Sequence, residues 1–158
     1  MTTTAPTVPS SNTTSHVSQQ YVTFRVADDL YGVPVTVVQE VLNPQRIAKT
    51  PKAPPDIAGL LNLRGQIVTA VDLRTYFDLA PLEGDKEPMN VVVRYRDEWF
   101  SLLVDEVGEV VDVGKTRMDP VPHSLAASRR GVLRGVLRLE DALLVVLDIS
   151  CILDRRKG

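Results

Sequence analysis

The sequence predicts a mainly β protein in which two small barrels are fused into one folding unit, and three observations carry that prediction. Apolar residues make up 44% of the chain but aromatics only 5%, with Val frequent among them, and β-branched side chains suit a pleated surface. Short apolar runs are separated by turn-forming residues. The chain also matches itself twice, residues 21–41 on 90–110 and residues 59–77 on 135–153, without gaps. A length of 158 residues suits one domain with a sizeable core.

Residues 1–19 hold ten Ser or Thr, two Pro and no charged side chain apart from His16. Such a segment cannot bury enough apolar surface to offset its ordering entropy, so it reads as a disordered tail, with one folded domain expected over 20–156. Residues 21–26 and 30–35 read as a hairpin turning at Asp28 and Asp29. Pro34 puts its second strand at an edge or near its end. Residues 50–55, with three Pro, form a connector. Residues 67–71 form a buried strand, after which Asp72 caps a short helix running toward Leu79.

The self-matches then repeat the pattern in units 21–77 and 90–153. Val22, Arg25, Asp28, Val35, Val38, Glu40 and Val41 face Val91, Arg94, Asp97, Val104, Val107, Glu109 and Val110. Gly59 meets Gly135, Asp72 meets Asp148, and the strand at 67–71 meets the apolar run 143–147. Halves of about 60 residues are too small for a robust core. They must pack on each other or exchange strands.

Composition excludes several function classes. A net charge of −2 and a pI near 5.7 argue against a whole-domain electrostatic fit to nucleic acid or acidic membrane. One Cys and two His leave no internal disulfide and no zinc set. No apolar run approaches the roughly 20 residues of a membrane span, and the N-terminus lacks the basic start and apolar stretch of a signal peptide. A soluble cytoplasmic protein is expected.

No catalytic set is visible either, nor any cofactor loop. His123 follows Pro122 in an expected exposed loop, and Cys151 reads as a small core hydrophobe. Asp105 and Glu109 are expected to point outward as solvated charges by strand alternation. The one basic cluster, Arg129, Arg130, Arg134 and Arg138, is interleaved with Val132, Leu133, Val136, Leu137 and Leu139. A nucleic-acid-binding barrel is the alternative it leaves open, but no stacking aromatic lies within it, and arginines that shield an apolar strand edge or meet an acidic partner are the favoured reading.

The most specific string is Asn62-Leu63-Arg64-Gly65, a short apolar strand, then Asp72-Leu73-Arg74. Gly65 permits a tight turn and Arg64 carries a rigid donor fork on it. Together with Tyr31-Gly32, residues 38–41, Pro54 before Ile57-Ala58-Gly59, residues 103–107 and the run 143–147 before Asp148, this string resembles the CheW-like chemotaxis coupling proteins. The likeness covers roughly residues 20–156. Thr69 departs from it, standing where the family usually has Pro.

The resemblance implies two SH3-like five-stranded barrels sharing a core, the outer pieces of the chain forming one and the inner pieces the other. It implies a cytoplasmic, non-catalytic adaptor, monomeric alone and recruited to membrane-bound receptor arrays. Its expected partners are the cytoplasmic tip of a methyl-accepting chemoreceptor and the regulatory domain of a CheA-type histidine kinase. Neither nucleic acid nor membrane insertion is implied. Val38, Glu40, Arg64 and Gly65 match receptor-facing positions. Gly59, Asn62, Leu63, Val107 and Val110 match positions at a kinase or receptor interface. Because the leading segment is polar, uncharged and interrupted by Pro, its removal is expected to leave the melting temperature of the domain unchanged, which a thermal melt of the shortened chain checks.

Overall fold

The structure, a computed structural model, describes residues 19–114, 116–123 and 131–157. The first hairpin pairs β1 (Gln20–Val26) with β2 (Asp29–Pro34). Its turn falls one residue earlier than the sequence suggests, at Ala27 and Asp28, because Ala27 takes a left-handed φ of 58° and Val26 pairs with Asp29. Pro34 ends β2, and a 3-10 turn over Val35–Val37 carries the chain out of the sheet. Ordered pairing begins within the expected tail, since the Gln19 carbonyl accepts from the Val113 N–H at 2.9 Å.

The next strand, β3 (Val38–Leu42), does not pair with this hairpin. It is followed by the hairpin β4 (Ile57–Leu63) and β5 (Gln66–Asp72), by the short helix α1 (Leu73–Tyr76), and by a second long hairpin, β6 (Met89–Tyr95) and β7 (Glu98–Val104). Then come β8 (Glu106–Asp112), the hairpin β9 (Leu133–Arg138) and β10 (Leu143–Leu147), and helix α2 (Ile149–Lys157). One five-stranded sheet runs β8-β1-β2-β10-β9 and the other β3-β6-β7-β5-β4. The fold is mainly β, and its two barrels interleave: the chain's ends and β8 build an outer barrel, and its middle builds an inner one.

The two barrels repeat each other to the residue. β10 runs parallel to β2 with Val145 opposite Tyr31, and β5 runs parallel to β7 with Thr69 opposite Phe100. The Asp72 N–H donates to the Asp56 carbonyl and the Asp148 N–H to the Val132 carbonyl, both at 2.8 Å. Each aspartate then caps its helix, Asp72 accepting from the Arg74 N–H at 3.0 Å and Asp148 from the Ser150 N–H at 3.1 Å. α1 stops at Tyr76 rather than reaching Leu79. Asp78 adopts a φ of 63°, and the N–H groups of Asp78 and Leu79 fold back onto the Thr75 and Arg74 carbonyls, closing the helix end.

Three apolar clusters hold this arrangement. The largest is shared, with Val22, Phe24 and Tyr31 from the outer barrel packed against Val71, Leu73, Phe77, Phe100 and Leu102 from the inner one. Leu61, Leu63, Val68 and Leu103 belong to a second cluster in the inner barrel, and Tyr21, Leu137, Leu144 and Val146 to a third in the outer. Cys151 packs at the margin of the shared cluster, and His123 is exposed.

Each barrel is closed by a single backbone bridge, Ala48 to Leu60 in the inner and Asp119 to Val136 in the outer. The residue before each bridge on the β strand is glycine. A Cβ on Gly59 would sit 2.1 Å from the Ala48 carbonyl oxygen, and one on Gly135 would sit 2.6 Å from that of Asp119. Gly59 also has a φ of 147°. Gly59→Ala is therefore expected to cost about 2–5 kcal/mol, backbone strain adding to overpacking. Gly65→Ala, at a φ of 87° with open space around it, is expected to cost only the strain, about 1–3 kcal/mol. Urea unfolding of the two variants side by side checks the difference.

Candidate functional site

The β4–β5 hairpin turns through Arg64 and Gly65, whose φ values of 51° and 87° are both left-handed, the geometry of a two-residue turn that follows the strand twist. The Asn62 side chain closes the turn by accepting from the Gly65 N–H at 2.8 Å. This leaves the Arg64 side chain projecting, 70% exposed. Glu40 reaches it from β3, where a bulge between Val38 and Glu40 interrupts the register with β6. Such an extra residue re-aims the side chains around it. The Arg64 guanidinium donates to Glu40 Oε2, and the Glu40 side chain is only 25% exposed.

The strands that carry this pair also expose apolar side chains that the sequence reading missed. Leu60 and Ile67 project from the outer face of the β4–β5 hairpin, Ile67 being 55% exposed, and Val41 follows Glu40 with its side chain in solvent. Reading residues 67–71 as one buried run hid Ile67, because Thr69, half-buried at mid-strand, blurs the alternation that Val68 and Ala70 reveal once buried. An exposed charge pair flanked by exposed aliphatics is suited to docking a protein surface.

The remaining expected site residues divide by depth. Val38 and Val107 are half-buried and pack against the shared cluster, while Val110 is 52% exposed on β8. Gly59 is buried beneath the 47–48 segment, and Leu63 is a core residue of the inner barrel with no face to offer a partner. Strand alternation explains Leu63: β4 buries Gly59, Leu61 and Leu63 and turns Leu60 and Asn62 outward.

Asp105 overturns its expectation. It sits between β7 and β8, where the chain crosses from the inner barrel to the outer, and this break in the strand rotates its side chain inward to 15% exposure. Arg74 Nε donates to Oδ1 at 2.9 Å and Nη2 to Oδ2 at 2.8 Å, and the Ala27 N–H donates to Oδ2 at 2.8 Å. Burial pushes the Asp105 carboxyl up, but the Arg74 and Ala27 hydrogen bonds outweigh it, so its pKa lies below the ordinary aspartate value. Glu109, by contrast, is exposed as expected. The Arg74–Asp105 pair lies beyond the opposite end of β5 from Arg64, roughly 20 Å of strand away.

The described part of the basic cluster stands on the outer side of β9. Val132, Leu133, Val136 and Leu137 are core residues, Arg134 is exposed, and Arg138 is bonded to Asp119 at 3.2 Å. Arg129 and Arg130 lie outside the described residues. Among the described residues no group of His, Cys, Asp or Glu is placed to hold a metal ion, and no helix is long and apolar enough to cross a membrane.

Comparison with known proteins gives a consistent result. A family model for the CheW-like domain matches residues 20–157. The chain is 27% identical over 136 residues to the chemotaxis protein CheW of Helicobacter pylori, covering 86% of this chain and 82% of that one. It is 26% identical over 140 residues to the chemotaxis protein CheW of Bacillus subtilis, covering 89% and 90%. Among solved structures, the scaffolding protein TtCheW from Thermoanaerobacter tengcongensis superposes with a TM-score of 0.74 at 27% identity, over 82% of this chain and 88% of that one.

The lowered pKa of Asp105 fixes the sign of one pH effect. A carboxyl held below its unfolded value contributes stability that is fully present above the unfolded pKa and lost as pH falls through the folded one. Urea unfolding at a series of pH values should therefore show wild type losing more stability than Asp105→Asn on acidification below the ordinary aspartate range. The two curves should converge at the acid end.

Proposed function

The chain belongs to the CheW-like domain family, and from that premise we propose that it is a non-catalytic adaptor that couples methyl-accepting chemoreceptors to a CheA-type histidine kinase in chemotaxis or motility signalling. The observation that carries the reading is the Glu40–Arg64 pair, its arginine exposed, borne on strands that also expose aliphatic side chains, in a chain matched to the family over residues 20–157. The working unit is residues 20–156, monomeric alone, cytoplasmic, and recruited to receptor arrays by its partners.

In this reading Val38, Glu40, Arg64 and Gly65 face the cytoplasmic tip of the receptor. Val110 and the outward side of Val107 match positions at a kinase or receptor interface, and this reading assigns them, on β8, to the regulatory domain of the kinase. Gly59 and Leu63 act from beneath, shaping the β4–β5 hairpin without touching a partner. Asn62 acts through the turn it closes. Kinase-domain binding of micromolar order, about −8 kcal/mol, suits a modest and partly apolar interface.

The two charges of the pair have different tasks in folding and in binding. An exposed ion pair contributes only ~0–1 kcal/mol to stability, whereas a charge left unpaired at a desolvated interface costs ~2–5 kcal/mol of binding. Arg64→Ala is thus expected to keep the wild-type unfolding curve and most of the kinase binding but to lose receptor-dependent kinase activation. Exchanging the charges, Arg64→Glu with Glu40→Arg, is expected to restore part of that activation. Unfolding curves, together with a kinase assay on the reconstituted receptor, kinase and adaptor, provide the check. Normal activation by folded Arg64→Ala protein would make the pair a fold support and overturn the assignment.

A further inference from the structure

The crossing between the barrels is a single residue long. β7 ends at Val104 in the inner barrel and β8 begins at Glu106 in the outer one, with only Asp105 between them. The Asp105 N–H donates to the Arg25 carbonyl at 2.9 Å, and its carboxylate takes the Ala27 N–H, so this residue grips the end of the outer barrel's first hairpin from two sides. Ala27 is held there in a left-handed conformation that a non-glycine residue adopts only at a cost. The same carboxylate receives both arms of the Arg74 fork from α1, and the remaining Arg74 Nη1 donates to the Ala80 carbonyl at 2.6 Å. One bidentate pair thus joins the inner barrel's helix, the loop after it, the crossing and the outer barrel's first turn. It lines a cleft of about 660 Å³ together with Arg25, Asp28, Lys86 and Glu106.

β8 depends on such an anchor more than its neighbours do. Its only strand partner among the described residues is β1, and a register shift between Val22 and Phe24 interrupts that ladder. Of its seven residues only Val107 and Val111 are half-buried; the other five are exposed. Little apolar burial therefore fixes where the strand lies. Hydrogen bonds do so instead: the β1 ladder on either side of the shift, the Thr23 Oγ1 bond to the Glu109 carbonyl at 2.7 Å within it, and, at the strand's start, the residue from which it departs.

We propose that Asp105 and Arg74 are positioning residues whose bidentate pair sets the departure of β8 from the inner barrel and so holds Val107 and Val110 in place for the kinase contact. This deepens the adaptor reading and rests on it for the identity of the partner. Arg74 and Asp105 need not touch the kinase. They determine the surface that does.

The test compares wild type with Asp105→Asn, which removes the charge, and Arg74→Lys, which keeps the charge but loses the fork and stands in should the first variant not fold. Amide hydrogen exchange is followed alongside titration with a purified CheA regulatory domain. A lost charge-assisted hydrogen bond is expected to speed exchange at Ala27 and along β8 about tenfold and to weaken kinase binding about as much. Protection of the β5–β7 ladder should stay at the wild-type level, and the double variant should be no weaker than the worse single one. Kinase affinity that stays at wild type while β8 exchanges faster overturns the proposal. So does a loss of protection spread equally over both barrels, or no change in β8 at all. Wild-type protein that fails to bind the kinase domain overturns the adaptor reading instead, and the functional half of this proposal with it, while the exchange comparison still decides whether the pair anchors β8.

Discussion

The exchange of strands between the two halves of the chain is the constraint on which the rest of the structure depends. β3 follows the first hairpin in sequence but pairs with β6, and β8 follows the second hairpin but pairs with β1. Neither barrel is complete without the other half. Their interface is therefore a core, and Phe24, Tyr31 and Phe77 stack across it with ring centroids 6.2 and 5.2 Å apart. Fully burying a large apolar side chain contributes ~1.5–3 kcal/mol, so a cluster fed by both barrels makes their folding one event. The isolated backbone bridges at Leu60 and Val136 complete each barrel only because no Cβ stands in the way at the glycine before each.

Two arginine–carboxylate pairs lie on this frame and show how depth decides what a charge does. Arg64 sits on a hairpin turn in water, and its bond to Glu40 adds little to stability; its chemistry is available to a partner. Arg74 is 20% exposed and its partner Asp105 15%, and each makes a further hydrogen bond, Arg74 to the Ala80 carbonyl and Asp105 from the Ala27 N–H. Buried charges persist only when satisfied in this way. The Arg74 pKa is accordingly raised, first by its hydrogen bond to Asp105. One pair serves recognition, and the other fixes the geometry of the frame.

The local readings that held were those where a residue's chemistry acts within a few positions. Asp72 caps a helix because its carboxylate meets N–H groups two and three residues on. Arg64 and Gly65 turn because two left-handed residues fit a hairpin twist. The readings that failed needed knowledge of what lies across space. Alternation placed Asp105 outward, but the strand breaks there as the chain changes barrels. The helix after Asp72 stops at Tyr76 because Asp78 turns left-handed, and Leu63, immediately before the turn, points into the inner barrel.

By itself the sequence determined the mainly β class, the repeated hairpin and strand-plus-helix pattern, and the motif that marks the family, because these rest on composition, period and short-range turn chemistry. It also singled out Glu40 and Arg64 as a pair, since the family motif names the turn that carries one and the strand that carries the other. Only the tertiary structure decided that β3 and β8 trade barrels, that Asp105 and Arg74 join the barrels at the crossing, and which valines face water. Those outcomes depend on contacts between residues 31 positions apart, as in Arg74–Asp105, or 78 apart, as in Ala27–Asp105. No local propensity encodes them, because the energy that selects them exists only once both barrels have closed on a common core.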